Sequence, residues 1–175
     1  MKTRAYFYFI KTSATILIVV ALAGAVAHFF IIEPTQVEGQ SMESTLQDTQ
    51  SVVIEKISLL IVPPRRGQVV SAFNEVSDIL LVKRIIGLPG EQVVLKSDGI
   101  YIIDNEGQES KLDESYLDQD TVTNPQAGRE AIYPIIEKDE YFVMGDNRRL
   151  SADSRTFGTV HRSKIVGVVH QIPFF

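Results

Sequence analysis

Apolar positions along the chain follow two different rules. Between Lys11 and Glu33 the stretch 12–32 carries no charge. Its residues, roughly 21 at about 1.5 Å each, just span a hydrocarbon core of about 30 Å, which predicts one transmembrane helix. After Pro34 the pattern changes to short runs rich in Val, Ile, Tyr and Phe with no sustained helical period, and this predicts β-strands at 51–57, 68–73, 79–86, 92–96, 99–103, 141–144 and 165–172. Turn signals separate the runs: Pro63-Pro64, Pro89-Gly90, Asp98-Gly99 and Asn105-Glu106-Gly107. The fold class is therefore mainly β: a short N-terminal segment (1–11), an anchor (12–32) and an all-β domain (33–175).

Two segments depart from this scheme. Residues 57–64 form a strongly apolar run ending in two prolines; they read equally as a buried strand or as a loop dipping into a membrane surface. Residues 106–129 are polar, with Asp113, Glu114, Asp118 and Asp120, and read as a solvated loop or small hairpin leaving the sheet.

Charge orients the anchor. Lys2, Arg4 and Lys11 precede it while Glu33 and Glu38 follow, so the positive-inside bias puts the N-terminus in the cytoplasm and the domain outside, in a single-pass cell-membrane protein. Ala25-Val26-Ala27 also has the small-x-small pattern of a cleavable signal peptide. His28-Phe29-Phe30-Ile31-Ile32 prolongs the apolar run past the usual length of such a signal and favours the anchor, with His28 at the interface. A formal net charge of -5 gives no basic footprint for nucleic acid. The chain has no cysteine, which excludes disulfides, thiol catalysis and Cys-ligated zinc. His28, His161 and His170 lack the i, i+4 spacing of a zinc pair, and no metal or cofactor is expected.

Three segments carry candidate chemistry. In Gly39-Gln40-Ser41-Met42-Glu43-Ser44-Thr45-Leu46 a serine follows Gly-x, which suits either an exposed nucleophile or a turn cap. In the strand 80–86 the cations Lys83 and Arg84 point to opposite faces. A lysine desolvated among aliphatic side chains loses its proton more easily and can take one from a serine hydroxyl; the alternative is a snorkelling surface lysine. The third segment, 145–158, packs turn formers, hydroxyls and opposite charges after an apolar strand, as a loop fixed by ion pairs would.

Taken together, Ser41-Met42-x-x-Thr45-Leu46, Lys83-Arg84-x-Ile86-Gly87-Leu88-Pro89-Gly90 and Gly145-Asp146-Asn147-Arg148-x-x-Ser151-x-Asp153-Ser154-Arg155-x-Phe157-Gly158 resemble the ordered signature blocks of bacterial type I signal peptidases in their compact single-span form. Arg66-Gly67-Gln68-Val69-Val70 resembles a weaker block. The resemblance implies a Ser/Lys-dyad serine endopeptidase that removes signal peptides from exported preproteins after small-x-small sites. Its partners would be those preproteins and membrane lipid, with the export machinery nearby. It assigns Ser41 as nucleophile, Lys83 as general base and Ser151 as the hydroxyl that orients the lysine amine. The Ser41 backbone N–H would be the oxyanion donor, and the pairs Arg84–Asp146 and Asp153–Arg155 a scaffold. Val37, Met42, Leu46 and Val82 are candidates for lining the substrate pockets or for ordinary core. The peptide would bind extended along sheet edges near Val37 and Leu81. Ser44 stands where the family usually has Pro, which implies a less rigid loop, and Gly39 lacks a hydroxyl that some members carry. The alternatives are a self-cleaving repressor of related fold, disfavoured by the span and the missing DNA-binding module, and a catalytically silent anchored β-domain binding surface or pilus subunits.

Overall fold

The structure, a computed structural model, describes residues 2–74, 77–118, 121–123 and 130–172, and within the first helix the side chains of 11–25. Two compact units make up the chain, Met1–Glu33 and Pro34–Phe175. The first is a helix of 30 residues, α1 (Lys2–Ile31). Ile16, Leu17, Ile18, Val19, Val20 and Leu22 are all exposed on it, so its described middle has no polar face to set against an apolar one. Among the described residues no helix is long and apolar enough to cross a membrane. The side chain of His28 lies outside the described residues.

The rest is β-rich. Its strands are β1 (Ile32–Gln36), β2 (Ser51–Glu55), β3 (Val69–Asn74), β4 (Ile79–Gly87), β5 (Gln92–Lys96), β6 (Gly99–Ile103), β7 (Glu109–Lys111), β8 (Ala131–Ile132), β9 (Glu140–Met144), β10 (Val160–His161) and β11 (Ile165–Gln171). They form a seven-stranded sheet in the order β1-β2-β11-β3-β4-β9-β10 and a four-stranded sheet in the order β7-β6-β5-β8. Alternation sets the faces. In β2, Val52 and Ile54 point inward while Ser51 faces solvent. One core cluster holds Val70, Ile85, Val143 and Ile165 on one face of the large sheet; a second joins Ile86, Phe142 and Met144 to Val93, Leu95, Ile100 and Ile102 of the small sheet. A third packs Val37, Met42 and Leu46 on Val52, Ile54 and Val169.

The apolar run after β2 is not a strand. It forms one helical turn, α2 (Ser58–Ile61), that buries Leu59 and leaves Leu60 84 % and Ile61 78 % exposed. The cause is local: the Glu55 carboxylate accepts the backbone N–H groups of Ile57 and Ser58, the latter at 2.8 Å, and so satisfies donors that would otherwise pair in a sheet. The polar excursion begins as a hairpin, with β7 pairing on β6 around a turn in which Asp104 accepts the N–H groups of Glu106 and Gln108, each at 2.9 Å. Residues 119–120 and 124–129 of that excursion lie outside the described residues.

Candidate active site

β4 pairs with β3 along Ile79–Arg84, setting Lys83 opposite Val70 and Arg84 opposite Val69. Adjacent positions on a strand face opposite ways, so the two cations enter different surroundings. Lys83 shares its face with Val70 and Ile85 of the first core cluster and is only 2 % exposed. Its Nζ lies 2.7 Å from Ser41 Oγ and donates to the Val82 carbonyl at 2.9 Å. At 2.7 Å the amine donates to the hydroxyl while charged and accepts from it once neutral. Burial disfavours the ammonium form and takes the Lys83 pKa from 10.5 down to about 8, against the opposing pull of Asp153 and Asp146.

The loop that carries Ser41 is fixed at both ends. Gly39, at φ 86, donates its N–H to Asp48 Oδ1 at 2.8 Å, and Leu46 N–H closes a turn on the Met42 carbonyl at 2.8 Å. Met42 and Leu46 sink into the third core cluster on either side of the turn, together with Val37. Ser44 sits in the left-handed region at φ 85, a conformation closed to proline, whose ring holds φ near about -65°. The loop is thus a defined turn with its own geometry, where the resemblance had implied a less rigid one.

A second loop follows β9. Asn147 N–H donates to the Ser41 carbonyl at 3.1 Å. Gly145 lets that approach happen, because a β-carbon there would sit 2.4 Å from the Ser41 carbonyl oxygen and 2.2 Å from Ser151 Oγ. Asp146 holds Arg84 in a two-pronged pair, with Nε to Oδ1 at 2.8 Å and Nη2 to Oδ2 at 2.5 Å. The same guanidinium donates to the Gly67 carbonyl at 2.7 Å and Thr45 Oγ1 at 3.1 Å. Asp153 pairs with Arg155 through both oxygens at 2.7 Å and accepts the Gly145 N–H at 3.0 Å.

One expected contact is not made. Ser151 Oγ is buried without a hydrogen-bond partner among the described residues, and the second bond of the Lys83 amine goes to the Val82 carbonyl instead. Val37, Met42 and Leu46 are core residues, whereas Val82 is half-buried against the same cluster. Sequence reasoning missed Arg148, which is buried and donates to the Gly145 carbonyl at 3.1 Å, Thr123 Oγ1 at 2.5 Å and both oxygens of Glu114. It also missed Tyr116, whose ring lies 3.9 Å from the Arg84 guanidinium carbon. Glu114 is thus paired with a buried cation rather than solvated. Their only signal was an unassigned Arg148 inside the third motif. His161 caps the short helical turn Arg162–Lys164, accepting the Ser163 N–H at 3.2 Å, and His170 lies on an exposed part of β11.

Comparison with known proteins identifies the family. Residues 9–174 match the family model described as signal peptidase, peptidase S26. The chain is 38 % identical over 171 residues to signal peptidase I T of Bacillus subtilis, covering 95 % of this chain and 84 % of that one. It is 34 % identical over 154 residues to signal peptidase IB of Staphylococcus aureus, covering 80 % and 76 %. A crystal structure of a signal peptidase I from Enterococcus faecalis superposes with a TM-score of 0.52 at 30 % identity, over 62 % of this chain and 97 % of that one. A buried lysine and a serine in contact, on a mainly β scaffold whose sequence matches from residue 9 to residue 174, place the chain in the signal peptidase family, peptidase S26.

Proposed function

We propose that the chain removes signal peptides from exported preproteins as a serine endopeptidase, with Ser41 as nucleophile and Lys83 as general base. The observation that carries the assignment is the 2.7 Å contact between Ser41 Oγ and an Nζ buried enough to be partly neutral. Neutral Lys83 takes the hydroxyl proton as Oγ attacks the scissile carbonyl, then gives that proton to the departing amine. Water, activated by the same amine, hydrolyses the resulting ester and frees Ser41. The Ser41 backbone N–H is the oxyanion donor in this reading, Arg84–Asp146 and Asp153–Arg155 hold the loops, and Ser151 stays beside the dyad as a spare hydroxyl.

The binding mode follows from an unequal pairing of β4. Its 79–84 half is paired with β3, but pairing with β9 starts only at Arg84, so beside Lys83 one edge is open among the described residues. An extended signal peptide adds there as a strand and brings its scissile carbonyl to Ser41, while Val82 and the turn over Met42 restrict the neighbouring side chains to small ones. The helix α1 anchors the enzyme, N-terminus inside and catalytic domain outside, and the exposed Leu60 and Ile61 of α2 touch the bilayer surface.

Vesicles holding the full chain and a preprotein with an Ala-x-Ala site test this. Ser41→Ala and Lys83→Arg are expected to lose more than about 10³-fold in turnover while keeping their circular dichroism. Wild-type turnover by a folded Lys83→Arg variant would overturn the base assignment. Leu60→Asp with Ile61→Asp keeps cleavage of a soluble peptide and lowers the rate on vesicle-borne preprotein; equal rates on both would remove the lipid contact.

A further inference from the structure

The excursion after β7 does more than decorate the small sheet. From β7 the chain runs to Glu114, Tyr116 and Thr123, and all three close on the two arginines next to the dyad. Glu114 binds Arg148 through both carboxylate oxygens, and Thr123 Oγ1 accepts from the same guanidinium at 2.5 Å. The Tyr116 hydroxyl donates to Glu114 Oε1 at 2.7 Å while its ring covers the Arg84 guanidinium. Arg148 is 3 % exposed, and among the described residues Glu114 is the one full negative charge at hydrogen-bond distance from it. Its ε-nitrogen grips the carbonyl of Gly145, the residue that touches Ser41 on one side and Asp153 on the other.

We infer that Glu114 and Tyr116 are positioning residues for the dyad: they clasp Arg148 and Arg84 and so hold the 145–151 loop against the nucleophile. Glu114 sits 34 residues upstream of Arg148, in the loop that leaves β7 of the small sheet, whereas Lys83 lies on β4 of the large one, and the clasp ties that loop to the chemistry. Without Glu114 a buried guanidinium has lost its counter-charge and must turn toward water, which draws the Gly145 carbonyl with it. The loop then releases the Ser41 carbonyl and opens the side of Lys83 from which water is now excluded. Tyr116 contributes a neutral donor: burial, then the adjacent Glu114, pushes its hydroxyl far above the usual range, so it does not ionise where the enzyme works.

The inference rests on the Ser41/Lys83 reading, and Lys83→Arg serves as its control. In the full chain, on a soluble signal-peptide substrate, Glu114→Ala is expected to lower kcat about 10- to 100-fold with KM nearly constant. The acid limb of its rate profile moves to higher pH as water reaches Nζ, so the deficit narrows under alkaline conditions. Tyr116→Leu shows the same pattern about 3- to 10-fold, and Glu114→Gln, which keeps one acceptor for Arg148, falls between wild type and Glu114→Ala. Variants that melt at lower temperature yet keep the wild-type kcat and acid limb would show a mere brace and overturn the inference. If Glu114→Ala does not fold, Tyr116→Leu decides by the same two readouts. An active Lys83→Arg enzyme would instead overturn the dyad and leave the clasp without an object.

Discussion

Lys83 and Arg84 are neighbours on one strand, both buried cations, and the structure treats them in opposite ways. Arg84 receives a carboxylate in two-pronged geometry, a carbonyl, a hydroxyl and an aromatic face, so its charge is answered on every side. Lys83 receives one hydroxyl and one carbonyl, and the carboxylates of Asp153 and Asp146 act on it only from a distance. A guanidinium cannot give up its proton and must be paired; an ammonium left without a direct partner gives its proton up. Alternation of side chains along β4 thus separates a cation paired with a carboxylate from one that meets only a hydroxyl and a carbonyl, over a single peptide bond.

Breaking the Arg84 half gives the largest effect. Asp146→Asn leaves the guanidinium buried beside a neutral amide, and chemical denaturation is expected to show a loss of about 3–5 kcal/mol. Removing the Lys83 half acts with the opposite sign. The native pKa of about 8 lies below the unfolded value near 10.5, so the buried ammonium costs stability in full below about pH 8, and the cost fades as pH rises toward 10.5. Lys83→Met is expected to be inactive yet more stable than wild type near pH 7 by about 1–3 kcal/mol, with the gap closing under alkaline conditions in paired thermal melts. The contrast is sharpened most gently by pH alone. With a pKa of about 8, roughly a tenth of Lys83 is neutral at pH 7, so kcat/KM is expected to rise about tenfold to a plateau above pH 9. A profile flat from pH 6 to pH 10 would show that the amine is not the base.

What could be read from the chain followed the range of the forces involved. The strands β2 to β6, β9 and β11 lie where alternating Val, Ile and Phe predicted them, because a half-buried strand records its faces in every second residue. β8 and β10, of two residues each, are too short to record any period. The run at 57–62 was ambiguous because its decisive feature is not apolar: the Glu55 carboxylate caps the turn two and three residues ahead. In the site, Ser41, Lys83, Arg84, Asp146, Asp153 and Arg155 fall within motifs, and the fold brings each pair within hydrogen-bond reach. Glu114 was read as solvated because its partner lies 34 residues away on another element, and a carboxylate in a polar stretch looks the same whether it faces water or a buried arginine. Ser44 exposes a similar limit. Its identity suggested slackness, while its φ of 85 describes a turn of different hand.

The position of β11 bears on when this protein becomes able to cut. Residues 165–171 lie between β2 and β3, pairing with both, while the nucleophile and base sit 42 residues apart on segments those strands support. A sheet of such distant pairings is expected to close late, since each loop must lose its freedom before the contact repays it. As the chain emerges from synthesis, Ser41 and Lys83 both appear well before residue 165, yet the sheet beneath them still has a gap where β11 belongs. Hydroxyl and amine at 2.7 Å belong to the closed sheet, so on the proposed dyad the nascent chain is expected to be a protease in composition before it is one in activity.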